Sequence, residues 1–125
     1  MLGLNDSELG ALLRSIAERQ GIQVQDDPEP DRNLFIRSDQ YNFIRAGVPS
    51  IYLKVGFKPG SPEAATTKRW LTERYHAPSD DTHQPVNLTA AADYNKVMLL
   101  LVEVITDRAE RPRWSSDSFF RRYAK

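Results

Sequence analysis

The stretch RYHAPSDDTHQP, Arg74 to Pro85, places His76, Asp80, Asp81 and His83 within eight residues. His76 and His83 are the only two histidines in the chain. Imidazole nitrogen and carboxylate oxygen are zinc donors, and a structural zinc takes four of them. These four side chains could therefore surround one ion. The spacing is neither a helical i, i+4 pair nor a zinc finger, and Pro78 interrupts it. The plainer expectation is a solvated loop whose aspartates cap turns and the next helix start. A second polar group is RSDQYNF, Arg37 to Phe43. A Ser–His–Asp hydrolase could draw on Ser38, His76 and an aspartate. However, no G-x-S-x-G elbow surrounds Ser38, and its position suits a helix N-cap.

Elements must hold these groups in place. Leu9, Leu12, Leu13 and Ile16 fall on one stripe and predict a helix over 6–20. Asn5 and Glu8 have capping-box spacing, and Gly21 is placed to stop the helix. IQVQ, 22–25, reads as a short strand. DDPEPDRN, 26–33, reads as a loop, and LFIR, 34–37, as a brief extended piece. Ser38 opens a short helix over 39–46, ended by Gly47 and Pro49. SIYLKV, 50–55, is the clearest strand. Ser61-Pro62 starts a helix over about 63–73. Asn87 or Thr89 starts the longest helix, which runs to about Arg108 and is broken by ERPRW. A short helix near 116–123 closes the chain, with FFRRYAK as a solvated tail.

Two strands joined through a helix imply a parallel pair. Such a pair is marginal alone and needs both faces covered. Residues 97–105, VMLLLVEVI, are apolar nearly all round a helix, so more than one side expects burial. Trp70, Leu71, Val97, Leu101 and Ile105 are the expected core. The expected architecture is one α/β domain over 1–125, a slab of something larger or half of an oligomer.

Composition narrows the partners. The 125 residues carry 17 Lys plus Arg against 17 Asp plus Glu, which gives no electrostatic reason for nucleic acid or an anionic membrane. The longest apolar run, Val97 to Val102, is too short to span a bilayer. Cysteine is absent, so disulfide and thiolate chemistry are excluded. The opening MLGLNDSELG has neither the basic nor the apolar region of a secretory signal.

Taken together, RSDQYNFIRAGVPSIYL and RYHAPSDDTHQPVN resemble the end of the peptidase domain of co-catalytic dizinc aminopeptidases. These are of the aminopeptidase Y and aminopeptidase S type, related to glutaminyl cyclases and often secreted or periplasmic. The resemblance runs from about Leu4 to Phe120. It implies a partial three-layer αβα zinc-exopeptidase fold with a short parallel sheet. It makes His76 the zinc-ligand histidine, places Asp39, Gln40 and Tyr75 on the substrate side of the pocket, and gives Asp80 and Asp81 a supporting role in the loop.

A complete member also has an upstream histidine, a bridging aspartate, adjacent glutamates and a further aspartate. None of those motifs is present here. One imidazole cannot fix the ion that lowers a bound water's pKa to about 7, and no paired glutamate is available as general base. The expectation is therefore little or no peptidase activity alone and no stoichiometric zinc. The expected partner is a second copy or the missing N-terminal part of the domain. One alternative is a non-catalytic self-associating or partner-binding module. Another is a small hydrolase rebuilt around His76 with His83, Asp80 and Asp81, in one chain or across a dimer.

Overall fold

The computed structural model describes residues 1–125. It contains four α-helices: α1 (Glu8–Arg19), α2 (Gln40–Arg45), α3 (Pro62–Glu73) and α4 (Leu88–Thr106). Short 3-10 turns occupy Pro30–Arg32, Leu34–Ile36 and Phe119–Tyr123. None of the helices is long and apolar enough to cross a membrane.

The apolar stripe of α1 packs against α4. Leu13 and Ile16 from α1 meet Val97 and Leu101 from α4, and Leu4 and Leu53 complete the cluster. Ile105 is only partly buried against it. Because α4 is apolar nearly all round, packing one face leaves Leu99 and Val102 on the other, 59% and 51% exposed. Only 13 of 125 residues are buried, so each core side chain carries a large share of the stability.

Local chemistry explains the helix ends. Gly21, at φ +65°, takes the left-handed conformation that closes α1. Its N–H donates to the Glu18 carbonyl at 3.0 Å, and that of Ile22 to Ala17 at 2.8 Å. Ser61 Oγ accepts from the Ala64 N–H at 3.2 Å, and Asn87 Oδ1 from the Ala90 N–H at 3.0 Å. The Glu63 carboxyl, held by its own backbone N–H and by Ser61, lies below its ordinary pKa.

The structure corrects several expectations. The Asn5–Glu8 capping box does not form: Ser7 is the N-cap. Asn5 Oδ1 instead accepts from Arg14 at 2.7 Å. The Glu8 carboxylate accepts from the Arg113 N–H and from Arg108, each at 3.1 Å. Leu34–Ile36 form a 3-10 turn that Arg37 closes, not an extended piece. Ser38 is not a cap either, since its Oγ donates to the Leu34 carbonyl at 3.2 Å and Asp39 holds the N-cap position. Trp70 and Leu71 are half-buried, and α3 buries no residue, so neither belongs to the core.

The largest correction concerns the fold class. There is no sheet, so the α/β architecture with a short parallel pair is overturned. Residues 22–27 and 53–58 carry no regular structure, and the only pairing nearby is an isolated antiparallel bridge between Leu2 and Tyr52. The physical reason lies in the first two residues, which bond to both segments. The Met1 amine donates to the Gln25 carbonyl at 2.7 Å. Leu2 exchanges backbone bonds of 3.0 and 3.1 Å with Tyr52. The backbones of these two stretches therefore bond to Met1 and Leu2, and only the Gln25 side chain crosses between them, donating to the Phe57 carbonyl at 2.9 Å.

The C-terminal segment is a strap and not a solvated tail. Trp114 pairs with Ser7 in a second isolated bridge, and the Ser115 N–H donates to the Asp6 carbonyl at 2.8 Å. Ser118 Oγ bonds Asp6 Oδ1 at 2.8 Å. Phe120 then packs edge-on against Phe35, with ring centres 5.5 Å apart. The strap also fastens α2. The Phe119–Tyr123 turn packs on that helix, and the neighbouring Tyr123 hydroxyl raises the Tyr41 pKa.

Candidate functional site

The loop between α3 and α4 carries His76, and α3 sets its starting geometry. The backbone N–H groups of Arg74 and Tyr75 both donate to the Trp70 carbonyl, at 2.9 and 3.0 Å. The chain then turns through His76 at φ +60°. This left-handed conformation is uncommon outside glycine, although histidine is among the residues enriched in it. The turn lays the imidazole flat against the Tyr75 ring, with centres 3.9 Å apart and planes 24° apart. Tyr75 leans in turn on Trp70 at 5.2 Å. Three rings in sequence thus orient His76 while it stays exposed.

Hydrogen bonds brace the rest of the loop. Arg74 Nη1 donates to the Ser79 carbonyl at 2.7 Å, and Ser79 Oγ donates to the Glu73 carbonyl at 2.6 Å. Trp70 Nε1 donates to Gln84 Oε1 at 2.8 Å, and Gln84 Nε2 donates to Asp80 Oδ1 at 2.7 Å. Asp81 Oδ1 accepts the His83 N–H at 2.8 Å and lies 3.6 Å from His83 Nδ1. The His83 side chain is 90% exposed.

Each aspartate is thus occupied within the loop. Asp80 is tied to Gln84 and Asp81 to His83, while His76 is stacked on Tyr75. No group of three or more His, Cys, Asp or Glu side chains is placed to hold a metal ion. The donors present do not fit a zinc ion, which needs three or four converging at about 2.0–2.3 Å.

Asp39 and Gln40 stand at the start of α2. Asp39 is exposed and its side chain caps nothing. Gln40 Nε2 donates to the Phe35 carbonyl at 2.7 Å. Helix α2 packs on the Leu34–Ile36 and Phe119–Tyr123 turns, and no hydrogen bond joins Asp39 or Gln40 to the histidine loop. Gln84 is the loop residue that sequence reasoning missed. An amide in a polar stretch has no periodicity or motif to mark it, and its role appears only when Trp70 and Asp80 are seen on either side.

The family model of Peptidase family M28 matches residues 1–102, and the chain belongs to that family. The family consists of zinc-dependent peptidases. No curated protein and no solved structure matches the chain significantly. The C-terminal strap, from Asp107 onward, lies beyond the matched residues.

Proposed function

We infer that this chain is the C-terminal portion of a dizinc aminopeptidase domain of the aminopeptidase Y or S type, with little or no peptidase activity alone. In the intact domain the reaction is hydrolysis of an N-terminal peptide bond. Zinc held there would supply Lewis-acid polarisation of a carbonyl and activation of water. His76 would be one ligand there, and Asp39, Gln40 and Tyr75 would line the substrate side. The observation that carries this reading is the family match through the His76 loop in a chain whose donors do not converge.

The test is hydrolysis of a fluorogenic aminoacyl amide by the purified chain, with and without added zinc. The expected result is no turnover above the buffer blank. Zinc-dependent turnover that disappears in His76→Ala would instead support the small rebuilt hydrolase.

A second reading, self-association or binding of the missing part of the domain, is favoured by α4. Leu99 and Val102 form an apolar outer face that a solvated surface helix does not need.

A further inference from the structure

No hydrogen bond to a ring nitrogen fixes the His76 imidazole. Its direction is set by the left-handed backbone at φ +60° and by the Tyr75 ring stacked on it at 3.9 Å. A residue other than glycine keeps a positive φ only where its surroundings hold it there, and such residues collect at functional sites.

The surroundings here form a closed circuit. On one side of the histidine, Tyr75 leans on Trp70, with ring centres 5.2 Å apart. On the other side, the Ala77 N–H donates to the Arg74 carbonyl and the Asp80 N–H to the Ala77 carbonyl, each at 2.9 Å. These two turns carry the chain from His76 to Asp80. Gln84 joins the two arms. Its Oε1 accepts from Trp70 Nε1 at 2.8 Å, and its Nε2 donates to Asp80 Oδ1 at 2.7 Å. Gln84 is half-buried, whereas His76 and Asp80 are exposed.

The loop's other brace is of a different kind. Arg74 reaches the Ser79 carbonyl, and Ser79 Oγ reaches the Glu73 carbonyl. Both bonds end on backbone and touch no ring. Gln84 alone connects the loop to the indole on which Tyr75 leans.

We infer that Gln84 is a positioning residue for His76: by bridging Trp70 to Asp80 it holds the Tyr75 stack, and with it the direction of the imidazole. This rests on the reading of His76 as the ligand histidine of the peptidase family, and it extends that reading to a residue outside the motif. Groups behind a ligand that fix its ring are part of how such a residue works. Here a side-chain amide does so through two aromatic rings, in place of a carboxylate on the imidazole nitrogen.

Proton–carbon NMR of the zinc-free chain reads the ring directly. The chain has two histidines, and His83, whose side chain is 90% exposed, serves as the reference in the same spectrum. The His76 ring protons should lie upfield of those of His83, displaced by the Tyr75 ring, and should cross-relax with the Tyr75 ring protons. Gln84→Ala and Trp70→Phe break one hydrogen bond from opposite ends. Each should lose most of the displacement and of the cross-relaxation. Helix content by circular dichroism should hold, because α3 buries no residue. Gln84→Glu keeps an acceptor for Trp70 but has no donor for Asp80, and should lose displacement as well. Combining it with Asp80→Asn restores that bond with donor and acceptor exchanged, and should restore the displacement. Ser79→Ala, which breaks only the backbone brace, should leave it in place.

Three results would overturn the inference: no displacement in the unaltered chain, a displacement that survives both Gln84→Ala and Trp70→Phe, or a loss in Ser79→Ala equal to that in Gln84→Ala. Each leaves the incomplete-peptidase reading standing, because the hydrolysis assay tests that separately.

Discussion

Trp114→Ala should destabilise the protein by about 3–5 kcal/mol, the range for truncating a buried tryptophan. Trp114 is only 8% exposed. Its Nε1 donates to the Gly47 carbonyl at 3.2 Å, and its ring packs on Phe120 at 5.8 Å. The substitution therefore removes apolar area and leaves that carbonyl without its donor. The surroundings cannot easily collapse into the gap. Gly47 sits at φ +92°, and a Cβ added there would lie 2.6 Å from the Tyr123 carbonyl oxygen, so the backbone is already close-packed. Urea unfolding followed by circular dichroism measures the change. A loss under about 1 kcal/mol, the ordinary level for a surface substitution, would mean that the C-terminal segment does not hold α1 and α2 together.

Leu13→Ala should cost about 2–5 kcal/mol, with the denaturant slope unchanged. Leu13 is fully buried between α1 and α4, among Leu4, Ile16, Leu53, Val97 and Leu101. Asp80→Ala provides the comparison. Asp80 is exposed and loses one hydrogen bond, from Gln84, which is worth about 1 kcal/mol or less. If Asp80→Ala proved the more damaging of the two, the division between core and loop would be wrong.

The helices were legible in the sequence because their determinants are local. The Leu9–Ile16 stripe, the Ser61 and Asn87 caps and the Gly21 stop lie within a turn or two of what they control. The absence of a sheet was not legible, because a strand is completed by partners elsewhere. IQVQ and SIYLKV have strand composition, yet their backbone meets Met1 and Leu2 in place of a ladder. The strap was missed for a related reason. Trp114 stands among short polar residues without periodicity, and its contacts with Ser7, Gly47 and Phe120 are set by the fold. The stretch around His76 was legible as a polar loop between two helices. The stacking of Tyr75 on the imidazole was not, since it depends on the positive φ at His76 itself.

That histidine also decides the proposal that the chain keeps one zinc-ligand histidine of the peptidase family without a complete zinc site. A zinc site needs three or four converging donors and supporting groups that orient them. Here His76 is stacked on Tyr75, and Asp80 and Asp81 are spent on Gln84 and His83. The most direct measurement is elemental analysis of protein equilibrated with zinc and freed of excess by gel filtration, beside His76→Ala treated in the same way. The expected result is zinc well below one equivalent in both proteins, with no difference between them. A full, tightly held equivalent in the unaltered chain that vanishes in His76→Ala would contradict it.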